Sequence, residues 1–138
     1  MKYEKPLPAR TPVSQEYWQA LKRHELTIQK CRKCGKNIFY PREFCPDCLS
    51  EDLEWFKVSG KRKLHSYTVI HSTAYSEFRN ELPIILGFVE LEEGVHMVSN
   101  IVECKLQNLK VDMDVEVVFD DITKEFTLPR FRPSRKQK

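Results

Sequence analysis

Two Cys-x-x-Cys pairs, separated by ten residues, constrain this 138-residue chain more than any other feature. The pairs are Cys31–Cys34 and Cys45–Cys48, each with the spacing of a metal-binding knuckle. Four thiolates joined by one short hairpin match the tetrahedral site of a structural zinc ion. Gly35 follows the first pair, where a knuckle needs a residue that tolerates positive φ. Iron in the same four-sulfur cage and disulfides are the alternatives, and disulfides need an oxidising compartment that nothing in the sequence indicates.

The predicted metal is structural, because four sulfur ligands leave no coordination position for water or substrate. The histidines are interpreted as scattered strand or surface residues and offer no catalytic set: His24, His65, His71 and His96. The fifth cysteine, Cys104, alternates with apolar neighbours and is predicted to pack as a small buried hydrophobe. With no nucleophile–base pair and no glycine-rich phosphate loop, the sequence does not indicate an enzyme.

The net charge of +3 conceals an uneven distribution along the chain. Residues 1–63 have a balance of +6, residues 64–125 a balance of −8, and residues 126–138 a balance of +5. An anionic partner should therefore contact the flanking segments and not the acidic middle. No apolar run is long enough to span a membrane and no signal-peptide core is present, so with reduced cysteines we expect a cytoplasmic location.

The chain is predicted to be mainly β, with an N-terminal helix, a four-cysteine zinc ribbon and a five-stranded OB-fold barrel. A proline-containing arm and a helix from about Val13, capped by Ser14, occupy residues 1–24, and the helix packs on its own chain or hooks onto a partner. The ribbon is assigned to residues 25–59, the barrel to 60–132 and a basic tail to 133–138. The predicted barrel strands are Lys63–Ser72, Pro83–Glu92, Gly94–Cys104, Asp114–Asp120 and Glu125–Arg130.

Two stretches of the predicted barrel have further consequences. The strand Ile84–Val89 is apolar on both faces, so its outer face needs cover from the helix, a partner or a second copy of the chain. The stretch Leu106–Met113 is predicted to be a longer connection with one helical turn, in which Leu106 and Leu109 face inward.

The order and spacing of several short motifs resemble one known family. They are Cys31-x-x-Cys34-Gly35, Tyr40-Pro41-Arg42, Cys45-Pro46-x-Cys48, Gly60, Ser66-Tyr67-Thr68-Val69, Glu93-Gly94 and Leu128-Pro129-Arg130-Phe131-Arg132-Pro133. Together they resemble the thiolase-associated, rubredoxin-like zinc ribbon plus OB-fold proteins, long catalogued as a domain of unknown function. The chain departs from that family at Arg62 and Asp112, where glycine is common.

The resemblance implies a helix, then a ribbon, then a barrel, in a non-enzymatic partner of a thiolase. In archaea such a protein bridges acetoacetyl-CoA thiolase to HMG-CoA synthase and helps hold the acyl-CoA thioester. Coenzyme A carries several phosphates, which need Lys or Arg donors near an apolar slot for the pantetheine arm. The candidate phosphate contacts are Lys57, Lys61, Arg62, Lys63, Arg130 and Arg132. The candidate slot lies in the loop 73–82 with Tyr75, Phe78 and Arg79. For each of the charged residues, a solvated surface position is the alternative.

A second function, single-stranded nucleic-acid binding, is suggested by the combination of ribbon and OB-fold. Such binders need a basic groove with exposed aromatic side chains. The acidic balance of residues 64–125 opposes this, so nucleic acid is the less favoured partner.

Overall fold

The computed structural model describes residues 7–9, 11–74 and 76–134. This part of the chain contains one α-helix, eight β-strands and two short 3₁₀ segments. In chain order they are α1 (Gln15–Lys22), β1 (Thr27–Cys31), β2 (Asn37–Ile38), β3 (Leu53–Lys57), β4 (Lys61–Ile70), the 3₁₀ segment Ser76–Glu81, β5 (Ile84–Leu91), β6 (His96–Asn100), the 3₁₀ segment Leu106–Asn108, β7 (Asp114–Asp121) and β8 (Thr127–Pro133). No helix in these residues is long and apolar enough to cross a membrane.

The strands form two antiparallel sheets. The ribbon is three-stranded, with the order β2-β1-β3, and the second sheet is five-stranded, with the order β6-β5-β4-β7-β8. The ends of the second sheet approach each other where Ile101 forms a parallel bridge with Phe131. The Val102 N–H also donates to the Phe131 carbonyl at 2.8 Å, and the Ser99 hydroxyl donates to the Pro129 carbonyl at 2.7 Å. These contacts nearly close the barrel and confirm the predicted mainly β fold with a zinc ribbon and an OB-fold.

One hydrophobic core joins the helix, the ribbon and the barrel. Leu21 of α1 and Ile28 of β1 are buried in the same cluster as Leu64 and Phe131 of the barrel. Trp18 packs at the margin of this cluster, edge-on to Phe126 with ring centroids 5.5 Å apart. Of the two interpretations of the helix, packing against its own chain is therefore the one found here.

Four details of the sequence-based prediction are wrong. Ser14 stands at the N-cap position, but its side chain caps no helical N–H and instead accepts the Thr11 N–H at 3.1 Å. Leu106 is exposed, although Leu109 is buried as predicted. Strand β6 ends at Asn100, so Cys104 lies outside any strand and packs half-buried at the margin of the core. Strand β8 continues beyond Arg130 to Pro133.

Candidate metal centre and partner-binding face

The four paired cysteines converge at the tip of the ribbon. The Cys31 and Cys48 sulfurs are 3.5 Å apart, as are the Cys34 and Cys45 sulfurs, and all four lie within 4.8 Å of one another. A tetrahedral zinc ion with Zn–S bonds of about 2.3 Å requires sulfurs about 3.8 Å apart. The geometry therefore fits a four-sulfur zinc site, and all the ligands predicted from the spacing are brought together.

The two knuckles have equivalent backbone hydrogen bonds. The Gly35 N–H donates to the Cys31 carbonyl at 2.8 Å, and the Leu49 N–H donates to the Cys45 carbonyl at 2.9 Å. Gly35 has a φ of +82° and Leu49 a φ of +65°, so both have the left-handed conformation that this turn requires. The second knuckle adopts the same turn without glycine, at a conformational cost of about 1 to 2 kcal/mol.

The backbone favours the thiolate form at the first cysteine of each pair. The Cys34 N–H points to the Cys31 sulfur at 3.4 Å and is the main cause that lowers the pKa of Cys31 to about 6. The Cys48 N–H is likewise the main cause of a lowered pKa at Cys45. Two of the four ligands are thus prepared to bind a cation as thiolates.

The second cysteine of each pair behaves differently. The Lys36 N–H favours the thiolate of Cys34 and the Ser50 N–H favours that of Cys48, but contacts with neighbouring sulfurs and burial raise both pKa values. Four thiolates this close repel one another unless a cation lies between them. The electrostatics therefore agree with the geometry, because the arrangement is stable as a tetrathiolate when a divalent metal is bound.

The predicted phosphate contacts fall into two groups. Lys57 ends β3, and Lys61, Arg62 and Lys63 begin β4, so the backbone brings all four to the segment where the ribbon joins the barrel, although successive side chains of β4 point to opposite faces. Lys63 is half-buried, and the other three are exposed. Within the described residues, none of the four forms an ion pair. They are available for an anionic ligand, and their role stays a prediction.

The second group, Arg130 and Arg132, is already paired within the barrel. Arg130 donates to Asp120 at 2.8 Å and to Asn100 at 2.6 Å, and Arg132 donates to Glu116 at 3.0 Å. Their side chains are only 15% and 23% exposed. These contacts largely compensate the two charges, which weighs against a phosphate role for either arginine.

The predicted ligand slot lies in a surface segment. Phe78 and Arg79 belong to the 3₁₀ segment Ser76–Glu81, which has no buried residue, and Tyr75 lies outside the described residues. Phe78 is half-buried and Arg79 is exposed. The assignment of this loop to a ligand therefore stays a prediction.

A cleft of about 360 Å³ beside α1 was missed by the sequence-based prediction. Trp18, Tyr40, Val98 and Arg130 are among the residues that line it. The indole N–H of Trp18 is buried and has no hydrogen-bond partner in the described part of the chain. The helical spacing of Tyr17 and Trp18 with Leu21 predicts that α1 must dock, but it does not reveal which residues lie opposite, because those come from distant strands.

The outward side of β5 and β6 exposes large apolar side chains. Leu86, Phe88 and Val98 are 38%, 37% and 46% exposed, and Phe88 lies directly opposite Val98 in the strand pair. Tyr40 is 51% exposed, and its hydroxyl accepts the Val98 N–H at 3.3 Å. We call these four residues the outer apolar face. It includes the outer side of the strand Ile84–Val89, which the sequence predicts to need cover by another surface.

Two family descriptions match successive parts of the chain. Residues 18–54 match "ChsH2, rubredoxin-like zinc ribbon domain", and residues 55–120 match "ChsH2, C-terminal OB-fold domain". The chain belongs to the ChsH2 (DUF35) family. A protein of this family from Methanothermobacter thermautotrophicus, named DUF35 domain-containing scaffold protein, is 42% identical over 105 residues, which cover 75% of this chain and 77% of the relative.

Other relatives are named as parts of enzymes. The probable enoyl-CoA hydratase alpha subunit of Thermomonospora curvata is 32% identical over 94% of this chain, which spans only 40% of that subunit. Subunit BbsA of benzoylsuccinyl-CoA thiolase from Geobacter metallireducens is 26% identical over 67% of this chain and 60% of the relative. A solved structure described as an Ltp2-ChsH2(DUF35) aldolase superposes with a TM-score of 0.84 and 31% identity, over 92% of this chain and 98% of its own.

Proposed function

We propose that this ChsH2-family protein is a non-catalytic, cytoplasmic accessory subunit that binds a thiolase-type acyl-CoA enzyme and helps hold its CoA thioester. The observation that carries the proposal is the outer apolar face on the barrel. The names of the relatives support it, because they describe scaffold proteins and subunits of a CoA thiolase and an enoyl-CoA hydratase. HMG-CoA synthase, implied by the family resemblance, is proposed as a second partner.

The outer apolar face has the composition of the centre of a protein interface. Aromatic and aliphatic side chains are enriched at such centres, whereas most exposed strand positions in a water-soluble barrel are polar. Phe88 and Val98 form a cross-strand pair on a rigid sheet, so little conformational entropy is lost when a partner covers them. Residues 64–125, which form most of the barrel, have a charge balance of −8, and we infer that the partner surface is apolar with a basic rim.

Zinc is the metal we assign to the four cysteines, and its proposed role is to hold the ribbon in shape. Four thiolates select zinc or iron, and the zinc ribbon description of residues 18–54 supports zinc. A closed tetrahedral site provides no position for substrate, so the metal stabilises the subunit and performs no reaction.

For the CoA thioester we propose two contact regions. The cations at the ribbon–barrel junction are assigned to the phosphates because none of them forms an ion pair within the described residues and all but the half-buried Lys63 are exposed. The cleft beside α1 is assigned to the pantetheine arm, because aromatic and apolar side chains such as Trp18, Tyr40 and Val98 line it. The predicted slot at 73–82 is the alternative for the arm.

Co-purification tests the partner. A tagged chain, purified from the cells that encode it, should retain a thiolase-type enzyme identifiable by mass spectrometry. Phe88→Asp should lower the amount retained at least about tenfold, because a charge in the centre of an apolar interface is desolvated without a partner. The matched control is Val111→Asp, which places the same charge at an apolar residue that is 57% exposed outside the face. Equal loss in both variants, or a homodimer in place of the enzyme complex, would contradict the proposal.

Calorimetric titration of the purified complex with acetyl-CoA tests the ligand contacts. Arg62→Gln should weaken binding several-fold with a reduced dependence on salt, and Trp18→Phe should weaken it without changing that dependence. Lys124→Gln, at an exposed position in the β7–β8 turn, is the control for lost charge. An oligonucleotide at the same ionic strength should not bind. Tight oligonucleotide binding that falls steeply with salt would instead favour the nucleic-acid function.

A further inference from the structure

Three metal-ligating side chains converge on the outward side of the barrel, away from the cysteine cage. A ring nitrogen of His65, a carboxylate oxygen of Glu90 and a ring nitrogen of His96 all lie within 4.8 Å of one another. His65 is exposed, and the other two residues are half-buried. Three atoms at these separations can all contact one ion with ligand bonds of about 2.0 to 2.2 Å after small rotations of the side chains.

The backbone register builds this cluster across three strands. Glu90 of β5 lies directly opposite His96 of β6, so their side chains share one face of the sheet. The register of β4 against β5 shifts between Leu64 and Ser66, which makes His65 the extra residue of a β-bulge. A bulge redirects a side chain that regular pairing would place elsewhere, and here it turns His65 towards the other two ligands.

Aromatic packing holds both imidazoles in place. The ring of Phe88 stacks on His96, with centroids 5.0 Å apart and an interplanar angle of 4°. His65 meets Phe88 edge-on at 5.7 Å and His96 at 5.3 Å. These ring contacts restrict the side-chain rotamers of His65 and His96. Less conformational entropy is therefore lost when a metal binds. The cluster is therefore partly organised before any ion arrives.

We propose that His65, Glu90 and His96 form a second metal site for a borderline divalent ion such as Zn²⁺ or Co²⁺. Two imidazoles and one carboxylate are typical ligands of such ions, whereas Mg²⁺ and Ca²⁺ prefer oxygen ligands alone. Three protein ligands leave the fourth position of a tetrahedron to water. This site therefore has a free coordination position, whereas the four-cysteine site has none. Lys63 lies opposite Glu90 on the neighbouring strand, and its positive charge repels a bound cation. The affinity of the site for a divalent metal should therefore be moderate. The site does not depend on the proposed function.

Cobalt titration tests the site on the full chain whose cysteine cage has first been filled with one equivalent of zinc. A second equivalent should bind and give weak visible d–d bands, without the thiolate-to-cobalt charge-transfer bands of a sulfur site. His96→Ala should lose this second equivalent. His71→Ala is the matched control, because His71 is an exposed histidine outside the cluster, and it should bind both equivalents.

A second variant distinguishes loss of a metal ligand from misfolding of the protein. Glu90→Gln keeps the size of the side chain and removes its charge, so it should bind the second cobalt about tenfold more weakly or worse while its circular dichroism stays that of the parent protein. Chemical shifts of the His65 and His96 ring protons should move on titration with Zn²⁺, and those of His71 should not. Uptake of no second equivalent, or equal uptake by the parent, His96→Ala and Glu90→Gln, would overturn the proposal.

Discussion

At the scale of single residues, backbone conformation explains how this chain tolerates its departures from the family pattern. Asp112, where the family commonly has glycine, has a φ of +69°, and its N–H donates to the Leu64 carbonyl at 2.7 Å. Aspartate is among the residues that adopt this conformation at low cost. The other departure, Arg62, lies in a regular strand and needs no special conformation.

Gly60 is a position where glycine is required for two reasons. Its φ is +73°, and a Cβ built there would lie 2.9 Å from the Cβ of Val117. Gly60→Ala should therefore lower the free energy of unfolding by about 2 to 5 kcal/mol, since left-handed strain and overpacking add. Denaturant unfolding of the zinc-loaded protein measures this change. The matched control is Gly94→Ala, with a φ of +88° and, among the described residues, no atom within 4 Å of the new Cβ, and it should cost about 1 to 2 kcal/mol. A larger loss at Gly94 would contradict the explanation.

At the scale of elements, the alternation of apolar and polar residues predicted the five barrel strands, but not where β6 ends. The sequence pattern continues to Cys104, whereas in the structure Ile101 and Val102 turn towards Phe131 of β8 and close the barrel. Closure depends on a strand some thirty residues away, so local alternation contains no information about it.

The same limit applies to the sites. The cysteine cage was predictable because its ligands are close in sequence and their spacing is that of a known knuckle. The His65, Glu90 and His96 cluster was not, because it requires the register of three strands and the bulge at His65. The cleft beside α1 requires the helix, β6 and β8 to be placed together.

The helix α1 illustrates an element that is stable only by docking. It has eight residues, too few for an isolated helix in water, and its residue Leu21 is fully buried in the core that the helix shares with the ribbon and the barrel. Leu21→Ala should lower the free energy of unfolding by about 2 to 5 kcal/mol. Gln19→Ala, at an exposed position of the same helix, is the control and should be nearly neutral or slightly stabilising. Denaturant unfolding followed by tryptophan fluorescence reports the change, because Trp18 packs against Phe126. Equal effects of the two substitutions would show that the helix is not anchored through Leu21.

At the scale of the whole molecule, the ribbon and the barrel differ in what stabilises them. The buried residues around the cage are Cys31, Ile38 and Cys45, a cluster too small to stabilise a fold without the metal. The barrel buries a larger apolar set, which includes Leu64 and Phe131. Ile28 of β1 belongs to this larger cluster, so loss of the metal should also lower the stability of the core beyond the ribbon tip.

Metal removal should therefore disorder the ribbon tip and loosen, but not unfold, the barrel. On addition of a chelator at neutral pH, we expect the amide signals of residues 31–53 to lose their dispersion in NMR spectra, while those of β4, β5 and β8 stay dispersed at a lower melting temperature. Cys48→Ser should produce the same state without a chelator, because a serine hydroxyl is a poor replacement for a thiolate. Cys104→Ser is the matched control, since Cys104 lies outside the cage, and it should retain one tightly bound zinc. Acid should release the metal, because zinc binds the thiolate form of each cysteine and protons compete with the metal for the sulfurs. Complete unfolding of the barrel on chelation would show that the cage stabilises the whole molecule and not the ribbon alone.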